Sequence, residues 1–325
     1  MKKLLYGLMA GAFALGILGP GSASAEPLRL AFSTWVGYGP FYVAQEKGFF
    51  KDEGVDVKLI IIEDTKIRIP TLAAGKIDAL ATTVDTILPY ISDKQKFTYI
   101  FAIDDSNGGD GIVANKDIKT IADLKGKKVG YSEGSVSQFY LAVLLKEAGL
   151  SLDDVDSVNM SAGDAGSAFV TKRIDAAVTW EPWLTRGKQA EHGHLLTDSS
   201  TTPGLITDVL ITTPKKLAAR KNDFKALARA WYRAVDFVAD HPKEADVIMA
   251  KGVGGWLKKP EVFAETRTGI RFYDKAANHA YFGTATKPGP ITKTITNAID
   301  LWSSLGKMRL KPNPTNLITF DVVNQ

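Results

Sequence analysis

Cysteine is absent from all 325 residues. That single absence excludes disulfides, thiolate nucleophiles, thiolate metal sites and a lipid-carrying thiol behind an export signal. Histidine is scarce, at His192, His194, His241 and His279, and a Ser-His-Asp relay needs a positioned histidine. His192-Gly193-His194 offers two imidazoles, an incomplete ligand set for a metal, so neither a metal nor another cofactor is expected. Charge of one sign is lacking too. Forty Lys and Arg stand against 36 Asp and Glu, for a formal +4. Removing Lys2 and Lys3 with an export signal leaves 4 − 2 = +2, too balanced for a nucleic-acid surface. Beyond the first two dozen residues no apolar run is long enough to span a bilayer.

The first two dozen residues do carry a pattern. Lys2-Lys3, the apolar stretch Leu4 to Leu18, Gly19-Pro20-Gly21 and the small residues Ala23-Ser24-Ala25 follow the plan of a cleaved secretory signal. The expectation is a signal peptide over 1–25 and a mature chain from Glu26. With no thiol to anchor it, that chain would be free in the periplasm.

From Leu28 onward, short strands rich in branched residues alternate with amphipathic helices. Strands are expected at 28–32, 55–62, 77–83 and 98–103, with helices at 39–47, 65–74 and 86–92 between them. A second cycle places strands at 127–132, 157–161 and 174–179, with helices at 135–148 and 165–173. This is the pattern of βαβ units and mostly parallel sheets. Ala74-Gly75-Lys76-Ile77-Asp78-Ala79 returns in outline as Thr171-Lys172-Arg173-Ile174-Asp175-Ala176, as two similarly wired lobes would give. The remainder is helix-rich, led by a long amphipathic segment over 223–239. No low-complexity linker divides the chain, so the lobes must be joined by crossing strands, near 105–112 and 206–210. The expected division is 26–108 plus 211–325 for lobe 1 and 109–210 for lobe 2.

Several segments together resemble a known family. Ser33-Thr34-Trp35-Val36-Gly37-Tyr38-Gly39-Pro40-Phe41-Tyr42-Val43-Ala44, Glu46-Lys47-Gly48-Phe49-Phe50 and Gly54-Val55-Asp56-Val57 open the series. Leu72 to Ala79, Asp123 to Gly130 and Ala176-Ala177-Val178-Thr179-Trp180-Glu181-Pro182-Trp183 continue it. In that order they resemble the nitrate, taurine and aliphatic-sulfonate group of ABC-transporter substrate-binding proteins, which includes thiamine-precursor-like members. The resemblance implies an α/β, two-lobed periplasmic-binding-protein type II fold with a ligand cleft between lobes. It also implies hinge closure and delivery to an ABC permease with its ATPase, by a monomer. A related branch of the fold makes a thiamine pyrimidine precursor, but the cysteine-rich motif of that branch is missing. A non-enzymatic binding protein is therefore expected.

Ligands of open α/β sheets bind beyond the carboxyl ends of the strands, and those ends supply the candidates. Trp35 and Tyr38 follow the first strand among glycines, and could equally be core. Asp85 follows the third strand, where a helix cap is the alternative role. Asp104-Asp105-Ser106-Asn107-Gly108-Gly109-Asp110 concentrates carboxylates where the chain leaves lobe 1. From it Asp105, Ser106 and Asp110 are candidates, with Asp105 or Asp110 expected to meet a cationic nitrogen. Ser135, Ser137 and Gln138 open a helix that could receive an anion or be plainly capped. Trp180 with Glu181 suits a cation, by ring attraction and by charge. Asp208 lies near the return crossing. These candidates include five acids and no arginine. A small cationic or zwitterionic nitrogen compound is thus expected, with taurine, an aliphatic sulfonate or nitrate as the alternative.

Overall fold

The computed structural model describes residues 26–254, 257 and 259–324; the expected signal segment lies outside them. Eleven strands are formed among the described residues: β1 (Leu28–Phe32), β2 (Val57–Ile61), β3 (Ala79–Thr83), β4 (Thr98–Ser106), β5 (Asp110–Asn115), β6 (Lys128–Tyr131), β7 (Asp156–Asn159), β8 (Ala176–Trp180), β9 (Gly193–Asp198), β10 (Thr207–Thr212) and β11 (Ile270–Phe272). They make two sheets. The first has the order β11-β4-β10-β3-β1-β2, and the second β7-β6-β8-β5-β9.

The βαβ units read from the sequence are the parallel parts: β1 with β2 and β3, and β6 with β7 and β8. The sheets are mixed rather than mostly parallel. β10 runs antiparallel to β3 and β4, and β5 runs antiparallel to β8 and β9. The cause is the crossing itself. A strand that leaves one sheet and enters the other directly has no helix to reverse it, so it pairs against its neighbours' direction. The chain passes from the first sheet to the second between Ser106 and Asp110, and returns between Asp198 and Thr207. The expected lobe limit at 108 falls in the first connection, and the one at 210 falls inside β10.

Helices cover both sheets. Lys221–Asp240 buries Phe224, Leu227, Ala228, Trp231, Val235 and Val238 at three- and four-residue spacing, the face that packs on a core. Its Trp231 ring lies 4.7 Å from Phe41, which stacks at 5.8 Å on Phe32 of β1. In the second lobe Val136–Glu147 ends at Gly149, whose φ of 74° is the left-handed conformation that stops a helix. The expected helix over 86–92 is only turns and a 3-10 turn at Leu88–Tyr90. Pro89 has no N–H to donate and blocks propagation there. The Ile291–Ser304 helix braces the back of the crossing: its Trp302 donates to the Asp85 carbonyl at 3.0 Å and lies 5.8 Å from Phe139 of the second lobe.

Candidate functional site between the two sheets

Strand register builds the site. On the first sheet Asp208 of β10 pairs with Thr83 of β3 on one side and Asp104 of β4 on the other. Residues directly opposed across a ladder share a face, so Thr83, Asp208 and Asp104 form one row at the sheet's edge. On the second sheet Asp110 of β5 pairs with Trp180 of β8. A cavity of about 330 Å³, its mouth included, lies between these edges. Its lining comprises Ser33, Trp35, Tyr38, Arg68, Thr82, Thr83, Thr86, Asp110, Ser135, Val136, Trp180 and Asp208.

Two aromatic donors hold two of the acids. The Trp35 indole Nε1 donates to Asp104 at 3.1 Å, and the Tyr38 hydroxyl donates to Asp208. The rings are therefore structural as well as lining: each is buried, and each fixes a carboxyl group. Trp180 donates from its indole across the cleft to the Thr34 carbonyl at 2.8 Å, a direct bond between the lobes. Lys66 and Glu133 form a second bridge across the mouth at 3.3 Å, both side chains about half exposed.

Electrostatics follow from burial. Removal from water pushes the Asp208 carboxyl up to about 7, against the Tyr38 hydrogen bond and with help from Asp85. Burial likewise takes Asp85 to about 7 and holds Asp104 and Asp110 well above the usual carboxylate range. Arg68 is the opposing charge. It is 3% exposed, projects from the Thr65–Ala73 helix, and donates to Thr65 Oγ1 at 3.1 Å and to the Ile62 carbonyl at 3.5 Å. Its Nε has no partner among the described residues.

Of the sequence candidates, Trp35, Tyr38, Asp110, Ser135, Trp180 and Asp208 line the cavity. The other six are placed elsewhere. Ser106 bonds Ser199 at 2.8 Å and the Asp110 amide at 3.0 Å, tying the two crossings together. Asp105 faces Arg271 at 3.6 Å, and burial raises its carboxyl. Glu181 accepts from the Thr185 amide and hydroxyl at 3.0 and 2.8 Å and lies 3.6 Å from Lys188, so it caps its own helix. Gln138 accepts from the Gly134 amide at 2.8 Å. The Ser137 hydroxyl is buried without a partner, and the Asp85 carboxyl meets the Thr86 hydroxyl at 3.4 Å.

The expectation of a site without arginine is corrected by Arg68. It sits in a helix mid-sequence, not in a strand-end loop, and only the packing of that helix turns it inward. Thr82, Thr83 and Thr86 were also passed over. Their signal was the polar end of the β3 run, Ala-Thr-Thr, before Asp85. Another pattern passed over is Gly130-Tyr131-Ser132-Glu133-Gly134, which has the spacing of a hydrolase nucleophile elbow. Ser132 is not among the lining residues, and the imidazoles of His192 and His194 bond the carbonyls of Phe169 and Ile118. No group of three or more His, Asp or Glu among the described residues is placed to hold a metal ion.

The profile of the NMT1/THI5-like family matches residues 35–245. The chain belongs to that family. A relative in Brucella abortus (strain 2308), named as a candidate binding protein, is 27% identical over 99% of this chain and 98% of its own. A similar fold is seen in the alkanesulfonate-binding protein SsuA of Xanthomonas axonopodis pv. citri, solved bound to MOPS. That structure superposes with a TM-score of 0.73 at 16% identity, over 92% of this chain and 99% of its own. The desulfurization enzyme DszB shares the architecture with a TM-score of 0.61 at 15% identity, over 91% of this chain and 97% of its own. Members of the family and their structural neighbours thus include binding proteins and catalysts on one two-sheet frame.

Proposed function

We propose that the protein is the solute-binding component of an ABC importer, acting in the periplasm as a monomer and closing on a small nitrogen-bearing cationic or zwitterionic compound. One observation carries this reading. Thr83 and Asp208 on one sheet face Asp110 and Trp180 on the other across a small cavity, and two short crossings join the sheets. A ligand touching both edges favours the closed arrangement over the open one by its differential contacts. The closed form is then what a permease with its ATPase would read. A protonated nitrogen placed between Asp208 and Asp110 would meet a carboxyl group from each sheet and draw both toward the ionised form, and Trp180 would add an aromatic face.

Catalysis is not supported by the lining. It offers hydroxyls, carboxyl groups and one guanidinium, with no histidine or cysteine to activate a nucleophile. A second reading, a sulfonate or nitrate ligand, draws on one observation, the buried Arg68 guanidinium. Alkanesulfonate binding in the Xanthomonas neighbour points the same way.

Thermal-shift screening of the purified protein, followed by calorimetry on the hits, tests the reading. A ligand that prefers the folded state must raise the melting temperature. Small amines, guanidines, pyrimidines, taurine, alkanesulfonates and nitrate make the panel. Shifts confined to nitrogen-bearing cations and zwitterions are expected. Shifts confined to nitrate and simple sulfonates would overturn the ligand class and leave the binding role, and no shift with any compound would count against the role itself.

A further inference from the structure

Arg68 has two features that its role in the fold does not use. A guanidinium carries five N–H donors, and only two bonds are made by this one, to Thr65 and Ile62. Its Nε is buried without a partner, although the side chain lines the cavity. No carboxylate oxygen among the described residues lies within ion-pair distance of it, whereas surface arginines such as Arg233 and Arg267 are paired at 2.9 and 2.7 Å. A buried charge left this way is costly unless something completes it.

Resting on the binding role above, we propose that Arg68 anchors the acidic group of the ligand, so that the cleft selects zwitterions: molecules with a carboxylate or sulfonate at Arg68 and a protonated nitrogen toward Asp208 and Asp110. The charge pattern excludes the simpler classes. A plain amine would add a second cation near a guanidinium that makes no ion pair. A plain sulfonate or nitrate would answer Arg68 but bring nothing to the Asp208 and Asp110 carboxyl groups. A zwitterion answers both ends when its spacer lets one group reach Arg68 and the other the Asp208–Asp110 pair. Arginine is the residue suited to this task, because its planar fork matches a carboxylate or sulfonate in two bonds at once.

The test uses the purified full chain and four probe sets. These are ω-amino carboxylates and ω-amino sulfonates with one to four spacer carbons, together with the corresponding alkylamines and alkanesulfonates lacking one charge. Calorimetry on the wild-type protein should rank at least one zwitterion roughly tenfold or more above both of its single-charge analogues. Arg68→Gln should weaken that zwitterion roughly 10- to 100-fold, the range for a lost hydrogen bond to a charged group. The same change should move the alkylamine analogue less than about threefold, and Arg68→Lys should restore part of the loss by returning the charge without the fork. Circular dichroism melts confirm that each variant is folded, and if Arg68→Gln fails to fold, the wild-type ranking and Arg68→Lys decide. An alkylamine bound as tightly as its zwitterion, or equal losses for both in Arg68→Gln, would overturn the assignment while leaving the binding role intact. Binding by alkanesulfonates alone would overturn the zwitterion class, and silence across all four sets would instead sink the role on which it rests.

Discussion

Two buried aspartates of the first lobe behave in opposite ways. Asp78, just before β3, is 2% exposed; Asp208, on the neighbouring strand, is 3% exposed. Burial works against ionisation of Asp78, yet Arg29 donates to it at 2.8 Å and Lys216 approaches to 2.5 Å, with Arg220 at 3.6 Å. Those cations hold its carboxyl well below the usual range. Asp208 has the Tyr38 hydroxyl and the more distant charge of Arg68, and burial wins. Similar exposure thus gives opposite proton affinities: Asp78 is ringed by paired cations near the surface, whereas Asp208 lies deeper with no ion pair. At the end of the sheet remote from the cleft the paired charge fastens β1, β3 and the Pro214–Ala219 helix together. At the cleft Arg68 is the nearby cation, and it makes no ion pair with Asp208, so burial prevails there.

The comparison should break most visibly at Asp78. Asp78→Ala strands cations partly out of water, and denaturant unfolding should show a loss of about 2–4 kcal/mol, at the low end if water reaches Arg29 and Lys216. Ligand affinity should be unchanged in the folded fraction. Asp208→Asn should do the reverse. Asparagine still accepts from Tyr38, so the melting temperature at pH 7.5 should hold or rise, while calorimetry shows a loss of roughly 10- to 100-fold in affinity for a nitrogen-bearing ligand. Equal stability losses for the two variants would erase the distinction.

Titration sharpens it further. Folded Asp85 and Asp208 titrate at about 7, against about 4 for an unfolded aspartate. Between those values the native chain keeps protons that the unfolded chain has shed, so stability falls as pH rises from about 4 to about 7, and Asp104 and Asp110, which burial also holds high, extend the fall. Asp78 has the opposite sign: its contribution is complete above about pH 4 and is lost as pH falls through its depressed value. The ligand-free melting temperature should therefore decline from pH 5 to 8, and replacing Asp85 and Asp208 by asparagine should flatten that decline while sparing the acid limb. A flat wild-type profile would contradict the buried-acid account. The smallest effect belongs to the mouth. Lys66→Ala removes a half-exposed bridge to Glu133, and small-angle scattering should report a shift toward the open form of no more than about 0.5 kcal/mol.

Local periodicity carried most of the fold. Strand and helix alternation from Leu28 to Thr179, the caps and the long helix near 223–239 are features a short window can see, and they are present except for the helix expected over 86–92. Strand direction at the crossings was not legible, because antiparallel entry depends on which sheet receives the strand. The site divided along the same line. Residues at strand ends and crossings, Trp35, Asp110, Trp180 and Asp208 among them, were visible from position alone. The Asp208 row with Thr83 and Asp104 depends on register between strands more than a hundred residues apart, and Arg68 depends on how one helix is rotated. Glu181 misled because its local partner, Thr185, lies one helical turn away and consumes the carboxylate.

The crossing at Gly109 bears on redesign. A methyl group added there would stand 2.5 Å from the Trp35 ring and 2.7 Å from Ile270, so the corner has no space for any side chain. Trp35 in turn holds Asp104, so a change at this corner would reach the cleft floor through the indole. Anyone converting the protein into a biosensor for another solute would leave Gly109 and Trp35 alone. The positions to diversify are Thr82 and Val136, which face the cavity and lie outside the crossing.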